Sequence, residues 1–456
     1  MIEHLQEYLA LYMFPVLAIL LFSGVPVSYV LGGVALLFSV IAIGLDMMVV
    51  NELYLFVERA WQSGAENLVL VAIPSFIFMG TMLERSRVAN DLLDILQILM
   101  RRTPGSLALA VTIMGTIMAA TTGIIGASVV MMTLMALPTM LKQRYSAEYA
   151  TGAIAASATL GILLPPSIML VVMADLLTIS VGNLFLGAVV PGLILSVLYF
   201  IYVIVAAMIK PHWAPELESS IDIPSGKNLI TLLLKGFIPP IVLISLVLGS
   251  IFGGWATPTE AAGIGAFGSI ALAYFRGKLN WRILQDTCQR TVLVTAMIFL
   301  LIVTATAFSY VFRALWGEDL IIEFILSMGL DGWGLLLSIM LCIFILGFFF
   351  DWIEITLIVL PVFAPIVAAL DFGAHLAQQD VLYWFAILVA INLQTSFLTP
   401  PFGAALFYMK GSAKSSVSLP QIYRGILPFV ALQLIGLALV MTWPQLSLWL
   451  PTTVME

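Results

Sequence analysis

The chain has 456 residues, 62% of them hydrophobic and only 9% charged, and a mean hydropathy of +1.12, far from the roughly half apolar, quarter charged mix of water-soluble domains. A soluble fold is excluded, and a formal net charge of −7 offers no basic face for nucleic acid. Cys288 and Cys342 lack CxxC spacing and His4, His212 and His375 are scattered, which excludes a disulfide framework and a zinc cluster.

The opening MIEHLQEYL has no Lys or Arg, so the basic region of a cleaved secretory signal is missing and Met1 reads as the mature start. Apolar runs at 9–23 and 27–45 follow, long enough as helices to cross ~30 Å of hydrocarbon, and residues 1–65 form N-terminal scaffold helices. Basic residues gather at Arg85, Arg87, Arg101 and Arg102, at Lys142 and Arg144, at Lys210, Lys227 and Lys235, at Arg276, Lys278, Arg282 and Arg290, and at Lys410, Lys414 and Arg424. These loops should face the cytoplasm. The loops between them hold only Arg59 and Arg313 as basic residues and should face outside. Asp175 and Arg313 read as ordinary interfacial charges at that outer boundary.

Residues 66–210 make a first repeat. Within it, 104–141 begins after Arg101 and Arg102 and ends at Lys142 and Arg144, so both ends are cytoplasmic. Two full spans would also return to the same side, but each arm is only ~23–27 Å of helix, which favours a re-entrant hairpin. Its tip, Thr121, Thr122, Gly123, Gly126 and Ser128, offers close backbone approach and hydroxyls that can ligate a cation or a solute. The same small residues also suit helix packing. A broken helix follows at 145–178, interrupted by Gly161, Leu163, Pro165, Pro166 and Ser167. Proline removes a backbone N–H and clashes with the preceding turn, so carbonyls are freed in mid-membrane where an ion, water or side chain must satisfy them. A long apolar run at 184–208 closes the repeat.

Residues 211–290 read as central scaffold helices and cytoplasmic loops, with a span at 237–252 extended by its flanks. Thr257-Pro258-Thr259-Glu260 opens another, where Glu260 is either a helix cap or a structural contact with the core.

Residues 291–456 repeat the first pattern. After a span at 291–312, segment 333–370 is a hairpin whose two ends lie outside, and 381–410 is a broken helix. Leu137-Pro138 matches Leu360-Pro361, Pro165-Pro166 matches Pro400-Pro401, and Ser180 with Gly187 matches Ser418 with Gly425. One half is a copy of the other turned over in the membrane, which is the signature of secondary transporters with midplane sites. The second tip carries Gly347, Asp351 and Thr356. Asp351 and Glu354 are intramembrane acids, by default candidates for ion handling, and they also have capping spacing. With Thr395, Ser396, Thr399, Pro400, Pro401 and Gly403 they form a second candidate ion site. Thr122, Ser128, Ser167, Asn392 and Thr395 are candidates to contact the solute. Half-helix N-termini aimed at the centre favour an anionic group there. No nucleophile or cofactor motif points to an enzyme.

The fold class expected is therefore an all-α polytopic membrane protein with about ten spanning helices plus two re-entrant helical hairpins in an inverted repeat. The segments IPSFIFMGTMLERS at 73–86, ATLGILLPPSIML at 158–170, WATPTEAA at 255–262, LGFFFDWIEITLIVLPVFAP at 346–365 and FLTPPFGAALF at 397–407 together resemble the large membrane subunit of TRAP transporters, the DctM family. The resemblance implies an elevator-type, sodium-coupled importer in the bacterial inner membrane. It also implies two partners, a small membrane subunit and a periplasmic binding protein that delivers a small organic anion such as a carboxylate or sialic acid. Only two spans precede the family's core pattern, so the small subunit is expected as a separate chain, and no cofactor beyond sodium is implied. Some relatives carry an acid in the first hairpin, whereas residues 103–141 have none. A stand-alone secondary carboxylate carrier of the same superfamily is the main alternative, and a channel the less suited one.

Overall fold

The computed structural model describes residues 2–86, 88–122, 125–215, 236–327, 329–400, 403–413 and 416–455. Gly123 and Pro401 lie outside the described residues, as do the side chains of Thr121 and Thr122. Among the described residues every regular element is helical, and six helices are long and apolar enough to cross a membrane alone.

The N-terminal helices are α1 (Ile2–Phe22), α2 (Val27–Gly44) and the short α3 (Tyr54–Ala60). The first half follows as α4 (Ala72–Arg85), α5 (Val88–Met100), the hairpin arms α6 (Ser106–Thr122) and α7 (Ile125–Lys142), the half-helices α8 (Ala147–Thr159) and α9 (Ile168–Leu176), and the long α10 (Val181–Ile209). Two central helices, α11 (Ile238–Phe252) and α12 (Pro258–Phe275), lead to the second half. There α13 (Trp281–Ala314), α14 (Gly317–Ser327), hairpin arms α15 (Gly332–Leu346) and α16 (Trp352–Ala368), half-helices α17 (Val381–Leu398) and α18 (Ala404–Ala413), and α19 (Leu419–Thr442) repeat the order of α4 to α10, before a terminal α20 (Gln445–Met455).

Local chemistry sets the boundaries. Ser180 and Ser418, equivalent in the repeat, stand at the N-caps of α10 and α19; the Ser180 hydroxyl accepts from the Asn183 N–H at 3.3 Å, while Ser418 pairs with Gln421 in a capping box. Glu260 settles as a cap: its Oε2 accepts from the Thr257 N–H at 2.8 Å and the Thr257 hydroxyl at 2.9 Å, with Pro258 at the first helical position.

Ion pairs and loop contacts identify the two poles. Arg276 pairs with Asp91 at 2.7 Å and Arg290 with Glu84 at 3.6 Å, joining basic loops from both halves at one end. At the other end the Thr259 hydroxyl donates to the Leu68 carbonyl at 2.9 Å and Asn67 donates to Asp175 at 2.7 Å.

Packing obeys the repeat. Helix α8 lies against α19, and its equivalent α17 lies against α10, the equivalent of α19. The first contact is backbone to backbone: a Cβ at Gly425 would strike the Glu148 carbonyl, and one at Gly152 the Gly425 carbonyl. At Gly187, equivalent to Gly425, a Cβ would first meet the Ser447 carbonyl of α20 at 2.9 Å and then Ile387, the equivalent of Gly152, at 3.8 Å.

Candidate transport site

Each hairpin packs on the broken helix of its own half. Gly115 in α6 sits against Ser157 of α8, so that a Cβ there would lie 2.6 Å from the Ser157 Cβ. In the second half Gly347, which caps α15, lies directly over the Ser396 hydroxyl, and Asn392 in α17 donates to the Met340 carbonyl of α15 at 2.6 Å. The halves also interlock. Arm α7 packs on half-helix α18 and arm α16 on half-helix α9, so each hairpin touches the other half's continuation beyond its break.

The breaks are made by missing N–H groups. Pro165 and Pro166, joined by a cis bond, deprive the Gly161 and Ile162 carbonyls of helical donors. The Ser167 hydroxyl replaces one of these, donating to Ile162 at 2.5 Å. Gly161, Leu163, Pro165, Pro166 and Ser167 are all buried. In the second break the Thr399 N–H reaches back to the Ser396 carbonyl at 3.1 Å and the Gly403 N–H to Thr399 at 3.1 Å. Gly403 is buried against the Phe397 and Thr399 carbonyls, where a Cβ would collide with the former. Only glycine fits between those oxygens.

Three hydroxyls before the second break, those of Thr395, Ser396 and Thr399, donate to the Ile391, Leu393 and Thr395 carbonyls, each at 2.8 Å. Their protons are thereby committed, and the remaining lone pairs can only accept or ligate. That orientation suits a cation.

The second tip combines a cap with charge. The Asp351 carboxylate accepts from the Trp352 N–H at 2.8 Å and Glu354 accepts from the Asp351 N–H at 3.1 Å, which starts α16 inside an apolar run. Asp351 is exposed at the tip while Trp352 and Ile353 beside it are buried. The first tip is reached through Gly126, whose position faces the Tyr408 ring of α18 at 3.1 Å, and Ser128 is buried behind it. Tyr408 in turn lies within electrostatic reach of Asp351 and Glu354. It is a neighbour of the first tip that only the folded arrangement picks out.

A second residue comes from the repeat register. Thr133 in α7 and Thr356 in α16 each precede the matched Leu-Pro by the same interval. Both are fully buried, and neither hydroxyl has a hydrogen-bond partner within the described chain. Most other hydroxyls in the spanning helices bond a carbonyl one turn back, as Thr112, Ser157 and Thr287 do. A buried hydroxyl left unpaired costs about 1–3 kcal/mol; Thr295 in α13 is another, but Thr133 and Thr356 occupy equivalent positions in the two hairpins.

At the centre the Gln394 amide reaches the Thr159 hydroxyl at 3.5 Å and the Tyr199 hydroxyl at 3.4 Å. Thr159 and Gln394 are themselves equivalent in the repeat, each standing the same distance before its proline pair. Their contact lies where the axis relating the halves passes through the core.

The sequence matches the family model described as "Tripartite ATP-independent periplasmic transporter, DctM component" over residues 14–446. It is 30% identical to the uncharacterized protein YgiK of Salmonella typhimurium, covering 97% of this chain and 98% of that one. It is 29% identical to the C4-dicarboxylate TRAP transporter large permease protein DctM of Vibrio cholerae, covering 87% and 89%. In fold it is similar to the YdaH transporter of Alcanivorax borkumensis, with a TM-score of 0.61 at 14% identity over 89% of this chain and 90% of that one.

Proposed function

Because the chain belongs to the DctM family, the large inner-membrane permease components of tripartite ATP-independent periplasmic transporters, we propose that it imports a small organic anion coupled to sodium, by an elevator movement of the hairpins and broken helices. It is a transport protein and not an enzyme. The observation that carries the reading is the reciprocal packing of hairpins and breaks, which gathers freed carbonyls, donor-committed hydroxyls and one carboxylate pair at two equivalent places.

Sodium fits those donors, all of them hard oxygens. At the second place Asp351, Thr356, Thr395, Ser396, Thr399 and the carbonyls around Gly403 would hold it. At the first, Gly161, Leu163, the proline pair and Ser167 would do so together with Gly126 and Ser128, without a carboxylate. Toward the solute, Thr395 and Ser167 have lone pairs left after donating to Ile391 and Ile162, Asn392 has its amide oxygen left after donating to Met340, and Ser128 lies buried beside the first tip. The name tripartite supports a small membrane subunit and a periplasmic binding protein as partners, the latter delivering a carboxylate or acidic sugar.

The test is reconstitution in liposomes with an inward sodium gradient, using labelled succinate and N-acetylneuraminate as probes. Sodium-dependent uptake should require the small subunit and the binding protein. Comparable uptake by this chain alone would instead make it a stand-alone carrier, and uptake indifferent to sodium would remove the coupling.

A further inference from the structure

Arg313 and Arg59 belong to neither candidate ion site, yet they share a cavity. A space of about 410 Å³ opens between α3 and α13 on one side and the end of α9 and the arm α16 on the other. The first wall presents Arg59, Ser309, Tyr310 and Arg313; the opposite wall presents Asp175, Thr178 and Pro361. Asp175 is engaged by Asn67 at 2.7 Å. The Arg59 guanidinium lies over the Tyr310 ring at 4.8 Å, which fixes its direction without neutralising it. Arg313 pairs with Glu318 at 2.7 Å through Nε, and its Nη2 donates to the Pro361 carbonyl at 3.0 Å. That carbonyl is available because Pro365, one turn on, has no N–H.

The cavity runs along α16 from Pro365 to Leu357, and Leu357 stands roughly 9 Å of helix from Asp351 at the hairpin tip. Its polar wall is therefore a route between the pole that carries Asn67 and Thr259 and the place where the two halves interlock. Arg313 is shared with Glu318 and Asp175 is bonded by Asn67, which leaves Arg59, held over the Tyr310 ring, as the lining cation without a carboxylate against it among the described residues; in a confined low-dielectric seam its field favours a negatively charged visitor.

We propose that this cavity is an anion-accepting antechamber in which Arg59 and Arg313 hold a carboxylate or sulfonate before it reaches the hairpin tips. The proposal rests on the organic-anion reading above and adds to it a site outside the tips and breaks.

A thiol at Ser309 tests it without relying on transport. The full chain carries Ser309→Cys in a background with Cys288→Ala and Cys342→Ala, since both native thiols are exposed. It is labelled in membrane vesicles with sulfonatoethyl methanethiosulfonate, an anion, and with its trimethylammonium counterpart. Changing both arginines, Arg59→Gln with Arg313→Gln, should lower the ratio of anionic to cationic labelling rates about tenfold. Arg59→Lys with Arg313→Lys should keep the ratio within about twofold of the unchanged arginines, which separates charge from altered folding. Millimolar succinate should slow anionic labelling only while the positive charges are present. A rate ratio indifferent to both arginines overturns the antechamber. It would leave sodium-driven uptake untouched, whereas loss of sodium dependence in liposomes would leave the labelling result standing.

Discussion

At the scale of single residues the sharpest contrast is between hydroxyls that donate to their own helix and the buried, unpaired ones at Thr133 and Thr356, which differ from the third such threonine among the described residues, Thr295, in being equivalent in the repeat. Thr133 and Thr356 are isosteric with valine, so Thr→Val removes an unpaired buried group without opening a cavity. Each substitution should leave melting unchanged or raise it by a few degrees in sodium-free detergent, and should raise the sodium concentration for half-maximal uptake about tenfold, as loss of one ligand to a charged partner implies. Unchanged sodium dependence in both variants would return the pair to simple packing. Asp351→Asn preserves the cap, because an amide oxygen still accepts from Trp352, but removes the charge; sodium-dependent uptake should fall at least tenfold while the protein still reaches the membrane in normal amount. Both acids of the tip were legible in the sequence, because a carboxylate within an apolar run stands out. Thr133 was not, since one threonine in a hairpin arm looks like packing until its equivalent is seen to be unpaired too. Tyr408 was out of reach for a different reason: its ring meets Gly126 at the first tip while the carboxylates of the second tip act on it only through space, and no spacing along the chain encodes that.

At the scale of elements, the breaks follow from proline chemistry, the ends of the first hairpin from its basic flanks, and the arms of the second from the caps at Asp331 and Asp351, and these are local signals. What pairs with what is less local. The close approach of α8 and α19 depends on Gly152 and Gly425, where either Cβ would meet the partner's backbone and the neighbour cannot yield as a flexible side chain would. Gly425→Ala should cost about 1–3 kcal/mol, seen as a lower melting temperature in detergent. Gly263→Ala, at a position where a Cβ meets nothing within 4 Å, should be neutral or slightly stabilising by helix propensity. Equal melting of the two variants would mean that the helices separate freely. The sequence displays Gly425 and Gly263 alike as helical glycines, but only packing tells that the first is a spacer and the second is not.

At the scale of the molecule, two hydrogen bonds along the seam at one pole tie the hairpin and broken-helix elements to their neighbours: Asn67, ahead of α4, to Asp175 at the end of α9, and Arg313 of α13 to Pro361 of α16. If the hairpins and broken helices travel as a body, a covalent tie across that seam must stop them. Asn67→Cys combined with Asp175→Cys, bridged by a short bifunctional maleimide, should abolish uptake, while either cysteine alone treated in the same way should keep most of it. Persisting uptake in the bridged protein would exclude sliding at this seam. Asp175 and Arg313 read from sequence as ordinary interfacial charges; that they line one cavity is not legible there, because nothing linear joins residues of different halves. The contact between Thr159 and Gln394 bears on how such a chain arose. Residues on the axis of a symmetric pair must face their own copies, so an ancestral dimer of identical halves would have set threonine against threonine or glutamine against glutamine there. A hydroxyl opposite an amide is open only to a duplicated gene whose two copies have diverged, and it makes each half a lock for the other and no longer for itself.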